Sequence, residues 1–309
     1  MKYLFTSIVG SFVFDNNFNL VEEVRFKKGK LSGKSVEEGL KKKYKDLKKV
    51  PEEKLGEVLA FLKKKDYFTQ FYNQNLVLTK KKIKSSVSED LLIIQAISNY
   101  IELDKVCNLL SRRLREWYSW YLPEFAESLE DNEKFTELIV ERSKKDLMKE
   151  LGIEDTMGSD LGKEDVREMI LLGNEILSLH SLRKKHEDYL QKIMKTYCPN
   201  LLALAGVTIG AKLFELGRSL KHLAMLPAST IQLLGAEKAL FRHIKTGSKS
   251  PKYGVIINHP LIQNAKKQER GKVARSLADK LILCIRLDYF KGEFKALEYK
   301  KDLEEKFGQ

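Results

Sequence analysis

Arg242, Lys245, Lys249 and Lys252 recur every three or four residues, with Gly247 and Pro251 between them. Cations at that spacing beside a stiffened loop neutralise successive phosphates, and glycine lets backbone approach a ligand closely. Arg270, Lys272 and Arg275 open a later helical pattern and border the same surface in this reading. Just upstream, Ser229 and Gln232 follow Pro227 at the spacing of a capping box. A helix starting there offers free amides to an anion. Gly235-Ala236-Glu237-Lys238 then puts small residues in what reads as mid-helix, where Gly costs roughly 1 kcal/mol relative to Ala. That cost implies a neighbour packed close. Each feature also has a plain alternative, an ordinary helix cap or a solvated basic face.

Other chemistries find less support. His180, His186, His222, His243 and His259 form no HExxH and pair with no cysteine at metal-ligand spacing. Gly-x-Ser-x-Gly, a Walker loop and G-x-G-x-x-G are absent. His259, before Pro260, reads as a hydrogen-bonded turn residue. Cys107, Cys198 and Cys284 lie far apart among apolar neighbours, as small buried side chains of a reducing intracellular protein do. No signal peptide and no 18-residue apolar run is expected, hence no membrane span.

Charge narrows the partners. The chain of 309 residues, 43% hydrophobic, has room for two or three domains and carries a net +13. From Asn200 to Gln309 there are 20 Lys and Arg against 10 Asp and Glu, a net of +10; the rest holds only +3. Arg242 to Lys280 holds ten bases against Glu269 and Asp279. Such asymmetry points to nucleic acid or an anionic membrane, or to a lysine-rich soluble surface.

The elements that must position these groups follow from periodicity. Residues 1–85 read as α/β, with strands at Lys2–Val9, Leu20–Phe26 and Leu76–Thr79 and helices at Ser35–Leu47, capped by Ser35, and Pro51–Lys64. The runs Lys41–Lys43, Lys63–Lys65 and Lys80–Lys82 read as solvated edges. Residues 86–198 read as helical. Glu89–Leu110 leads into Arg115-Glu116-Trp117-Tyr118 and Trp120-Tyr121, aromatics that anchor a junction or stack bases. Asp131–Leu151 and Lys163–Tyr197 read as two long helices of an antiparallel coiled-coil hairpin, joined by Gly152–Gly162. Its seam runs through Leu172, Ile176, Leu179, Leu190 and Ile193, broken by Arg183 and His186, and predicts self-association. Residues 199–309 read as helical: Leu201–Leu216, Ser219–Leu226, Thr230–Phe241 and Arg270–Phe290, with Gly254–Ile257 the sole strand candidate after Lys80.

Several of these blocks resemble the Nop family: Ala205-Gly206-Val207-Thr208-Ile209-Gly210-Ala211-Lys212-Leu213, Leu226-Pro227-Ala228-Ser229, Gly235-Ala236-Glu237-Lys238-Ala239-Leu240-Phe241-Arg242, Lys245-Thr246-Gly247 and His259-Pro260. Arg115-Glu116-Trp117-Tyr118 with Pro123-Glu124 is similar to the family's central motif, although Ser119 and Tyr121 stand where the family commonly has Gly and His. The length and short tail resemble archaeal members, with a cytoplasmic location. The resemblance implies an α+β N-terminal domain that binds fibrillarin, a self-associating coiled coil, and a helical Nop domain. That last domain would bind a kink-turn RNA together with its small kink-turn protein. The chain would then be a non-catalytic scaffold of the box C/D guide-RNA particle directing rRNA 2′-O-methylation. It would hold no cofactor, S-adenosylmethionine belonging to fibrillarin. Ala228, Ser229, Glu237, Lys238, Arg242, Lys245, Lys249, Lys252, Arg270, Lys272 and Arg275 are the implied RNA- or particle-binding residues. The segment Ala228-Ser229 and Lys252 match contacts of a spliceosomal relative. Apolar positions near Val13, Phe14 and Phe71 are candidates for the fibrillarin face. The competing readings are an autonomous methyltransferase, which lacks a glycine-rich cofactor turn, and a basic coiled-coil adaptor on an anionic membrane.

Overall fold

The structure, a computed structural model, describes residues 2–26, 33–44 and 46–307 and divides into two compact units, Met1–Ser88 and Glu89–Gln309. In the first, β1 (Lys2–Thr6), β2 (Gly10–Phe14), β3 (Leu20–Arg25) and β4 (Leu47–Lys49) form one sheet in the order β3-β2-β1-β4. The pairs β1–β2 and β2–β3 are antiparallel, and β1–β4 is parallel. Helices α1 (Gly33–Lys43), α2 (Leu55–Leu62) and α3 (Lys65–Ser85) complete the unit. Alternation sends Phe12 and Phe14 toward Val58 and Tyr67, while Val13 joins Leu4 and Leu40 on the other face.

β2 is therefore buried throughout, and a strand covered on both faces shows no polar alternation to read. Val13 and Phe14, taken as surface candidates, are core residues at 0% exposure. The strand expected at Leu76–Thr79 lies inside α3, because a short apolar run fits either element. Helix α1 is already under way at Gly33 and stops before Leu47, which belongs to β4; the Ser35 side chain lies outside the described residues. Pro51 precedes a 3-10 turn, Glu52–Lys54, ahead of α2.

The second unit is helical: α4 (Glu89–Tyr118), α5 (Pro123–Ser128), α6 (Asn132–Glu141), α7 (Lys144–Leu151), α8 (Lys163–Tyr197), α9 (Pro199–Gly217), α10 (Leu220–Met225), α11 (Ala228–Leu233), α12 (Glu237–Thr246), α13 (Pro260–Asn264), α14 (Arg270–Tyr289) and α15 (Ala296–Phe307). The antiparallel pair is α4 with α8. Ile93 and Ile97 share a core with Leu190 and Met194, Asp104 pairs with Arg183 at 2.5 Å, and Leu114 lies beside Gly173. This corrects the expected hairpin. Asp131–Leu151 breaks at Arg142–Ser143, where Ser143 and Asp146 form a reciprocal capping box that starts α7. Helix α6 packs along α8 instead, and the Arg183 guanidinium reaches both Asp104 on α4 and Glu133 on α6, at 3.2 Å for the latter.

Two cores fill this unit. One gathers Leu114, Tyr118, Phe125, Phe135, Met169 and Ile176 at the far end of the hairpin. Arg115 seals that end by donating to the carbonyls of Ala126 (2.5 Å) and Leu129 (2.6 Å) and to Asn132 Oδ1 (3.0 Å), over the Phe135 ring. The other joins the base of the hairpin to α9, α10, α11 and α14. Cys107, Cys198 and Cys284 are buried thiols, and burial pushes Cys284 up to about 12.

Helix α9 corrects the expectation that no long apolar stretch exists. Its 19 residues have the length and mean hydropathy, 1.3, of a membrane span. Yet much of it is buried against α4, α8 and α14, and it is kinked at Gly206, φ 76°. The kink frees the Leu204 carbonyl, which accepts from His259 Nε2 at 2.9 Å, while His259 Nδ1 accepts from the Leu261 amide and caps α13. The Ala205-Gly206 and His259-Pro260 blocks are thus one device. At the start of α9, buried Asp288 accepts from the Asn200 and Leu201 amides at 3.0 and 2.8 Å, and Asn200 Oδ1 accepts from Lys295 and Ala296 to seat α15. Residues 291–307 gave no such expectation.

Candidate nucleic-acid interface

The expected helix Thr230–Phe241 is two helices. Gly235 sits between α11 and α12 at φ 88°, where a Cβ would lie 2.6 Å from Val255 Cγ1. It is required by a turn, so no mid-helix cost arises. The Glu237 carboxylate accepts from the Gly235 amide at 2.7 Å, which gives that candidate a positioning role. The expected capping box is absent: α11 follows Pro227 with no side-chain cap, and exposed Ser229 is its second residue beside half-buried Ala228. Gln232 reaches forward instead, donating to the Lys252 carbonyl at 2.6 Å.

That reach closes a loop. The Gly254 amide donates to the Gln232 carbonyl (2.7 Å) and the Val255 amide to that of Leu234 (2.8 Å). A Cβ on Gly254 would fall 1.8 Å from the Leu234 carbonyl oxygen, so only glycine fits. The residues Val255–Asn258, expected to include a strand, form a 3-10 turn. At the other end Gly247, φ 68°, terminates α12, and His243 Nδ1 donates to the Ser248 carbonyl.

Between these anchors α12 buries no residue at all. Lys238, Arg242, Lys245, Lys249 and Lys252 are exposed, and none has an acidic partner among the described residues. Positions 238, 242 and 245 share one helix face. The Lys252 stem crosses Gly271, which brings the loop to the first turn of α14 with exposed Lys272 and Arg275. Arg270 is drawn away, its guanidinium donating to the carbonyls of Ala265 (3.1 Å) and Gln263 (3.0 Å). Phe241 and Ile244, 61% and 69% exposed, were missed. Their signal was an apolar i, i+3 pair inside a basic helix. The result is a displayed ridge of cations with an apolar pair, on a backbone closed by Gly235, Gly247 and Gly254.

Of the coiled-coil candidates, Ile176 and Leu190 are buried within the chain, and Leu172, Leu179 and Ile193 are half-buried. The outward apolar residues include Leu171, Leu182 and Tyr189 on α8 and Leu91, Leu92, Val106 and Leu109 on α4. Among the junction aromatics Tyr118 is buried edge-on against Tyr121, Phe125 and Phe135, whereas Trp120 is 66% exposed. In the first unit, Leu59, Phe68 and Phe71 stand exposed around a cleft of about 220 Å³ that also meets Val9, Leu62 and Tyr67.

Residues 100–309 match the Nop family, described as snoRNA binding domain, fibrillarin. A NOP5 family protein of Methanocaldococcus jannaschii is 41% identical over 76% of this chain and 61% of its own length. Nucleolar protein 58 of Schizosaccharomyces pombe is 35% identical over 79% of this chain and 51% of its own. The chain thus spans about half to three-fifths of the relatives it matches. The crystal structure of a fibrillarin/Nop5p complex superposes on 99% of this chain and 100% of that one, with a TM-score of 0.43 and 25% identity.

Proposed function

This chain belongs to the Nop family, and on that premise we propose that it is a non-catalytic scaffold of a box C/D ribonucleoprotein. It bridges fibrillarin to a kink-turn RNA already bound by its small protein, for guided 2′-O-methylation of rRNA. The observation that carries this reading is the α12 ridge with its closed loop. Fixed cations grip phosphate, Phe241 and Ile244 offer an apolar contact to protein, and the ridge lacks a base-reading pattern of its own. The cleft around Phe68 and Phe71 supports a fibrillarin contact in the first unit. Self-association is assigned to the outward residues Val106, Leu109, Leu171 and Leu182, in place of Ile176 and Leu190.

The test is binding to the kink-turn RNA–protein complex. Lys245→Glu with Lys252→Glu lowers affinity on the order of 100-fold near physiological salt, with circular dichroism unchanged. Unchanged affinity places the site elsewhere. The same RNA without its protein binds poorly; tight, sequence-specific binding to bare RNA contradicts the reading. Strong sedimentation with anionic vesicles and none with RNA assigns the ridge to a membrane surface.

A further inference from the structure

We propose that the far end of the α4–α8 hairpin is a docking site for a different protein: Trp120 and Met157 engage an arginine-rich segment of the partner that also carries an apolar side chain. The inference goes beyond the RNA reading of α12 and does not depend on it.

The apolar pair is held out on a fixed turn. The Ser159 amide donates to the Trp120 carbonyl at 2.7 Å. The Glu124 carboxylate accepts from the Met157 amide at 2.9 Å and from the Thr156 hydroxyl at 2.7 Å. Gly158 lies so close to Tyr121 that a Cβ would sit 2.2 Å from its carbonyl oxygen. Trp120 and Met157 remain 66% and 88% exposed on this turn. The core beneath is filled without them, Tyr118 packing edge-on to Tyr121, Phe125 and Phe135. A tryptophan on a preorganised turn loses little freedom on binding and is among the side chains that dominate protein interfaces.

Charge at the same turn selects the partner. The segments that meet there, residues 116–130 and 150–165, hold ten Asp and Glu against one base, Lys163. Over residues 116–168 the balance is 16 acids to 7 bases. Lys144 also reaches the turn, but its ammonium lies 4.3 Å above the Tyr121 ring and 3.7 Å from Asp160, so it is already engaged. Exposed Glu127, Glu130, Glu154, Asp155 and Glu164 have no basic partner among the described residues.

Uncompensated carboxylates around an indole repel phosphate, which turns away RNA and an anionic membrane, and draw a cationic protein surface. Arginine meets both features at once. Its planar guanidinium stacks on an indole face and pairs with carboxylates through a fixed fork of donors. An apolar residue beside it covers Met157. The far end thus selects a partner of opposite charge to the one that suits the α12 ridge.

The test uses the full chain with Trp117→Phe, which leaves Trp120 as its one tryptophan. The probes are a peptide of four Arg-Arg-Leu repeats and a control of four Glu-Glu-Leu repeats. Saturable binding of the arginine peptide, with a several-fold drop in acrylamide quenching of Trp120 and no response to the control, supports the proposal. So does a rise of about tenfold or more in the peptide Kd, read by anisotropy of labelled peptide, for Trp120→Ala and separately for Glu127→Lys with Glu154→Lys. Failure of the arginine peptide to bind overturns it, as does binding that leaves Trp120 fully quenchable or that both variants retain. Trp120 that becomes protected by raised chain concentration alone gives the face to a second copy and also overturns it. Should Trp117→Phe unfold that end, the difference between wild type and Trp120→Ala reports the same signal. Lys245→Glu with Lys252→Glu leaves peptide binding unchanged, so failure of the RNA reading and failure of this one are told apart.

Discussion

Two of the places where the second unit shows an aromatic side chain to solvent, Phe241 and Trp120, differ in every other respect. At α12 Phe241 and Ile244 stand among cations that lack acidic partners, on a helix that buries nothing. At the far end of the hairpin Trp120 stands among acids, above a core sealed by Arg115. One ridge is positioned by backbone closure through Gly235, Gly247 and Gly254, the other by side-chain capping of a well-filled bundle. Fold stability and partner chemistry are therefore separable: substitutions at α12 alter binding more than stability, and those beneath the hairpin end do the reverse.

The sharpest way to break that separation is Gly254→Ala. Its Cβ collides with backbone, so the loop cannot close, and binding to the kink-turn complex falls by more than about 100-fold while the hairpin end keeps its circular dichroism. Equal loss of helical signal throughout the unit would show that the loop is part of the core. Next comes Arg115→Ala, which orphans two carbonyls and an amide oxygen. It should cost about 3 kcal/mol, read as a lower urea midpoint, with kink-turn binding unchanged. A loss of affinity at full stability would link the two ends. Phe241→Ala tests the reverse: about tenfold weaker binding with an unshifted midpoint.

Much of this was legible in residues. Helix α8 and the helical course of α4 follow from apolar spacing alone, and the lysines of the α12 ridge from their i, i+3 and i+4 recurrence. What failed has particular causes. Gly235 was read as a costly helical glycine because periodicity continues across it; its positive φ, and the Val255 side chain 20 residues away that leaves no room for a Cβ, are features of the folded chain. The seam through Ile176 and Leu190 was correct in period, but period does not say whether a stripe meets its own chain or another. The acids of residues 116–168 were hidden by a basic total.

The smallest expected effect is one of pH. Burial lowers the His259 pKa, so the neutral ring that donates to Leu204 is the native form. The unfolded chain binds the proton more readily. This contribution is complete above the ordinary histidine value near 6.5 and is lost as pH falls through the lower folded value. Between pH 7.5 and 5 the Tm of wild type should fall more than that of His259→Gln. Equal slopes would remove His259 as the cause.

The central claim is that the α12 ridge and its loop hold phosphate through Lys245 and Lys252. The direct measurement is the salt dependence of affinity for the kink-turn RNA–protein complex, for wild type and for the double Lys245→Glu, Lys252→Glu variant. The account predicts a steep fall of log K with log salt, with a slope shallower by roughly 1.8 in the variant, about 0.9 for each phosphate contact removed. A binding constant that ignores salt, or one whose slope is the same in both proteins, would contradict it.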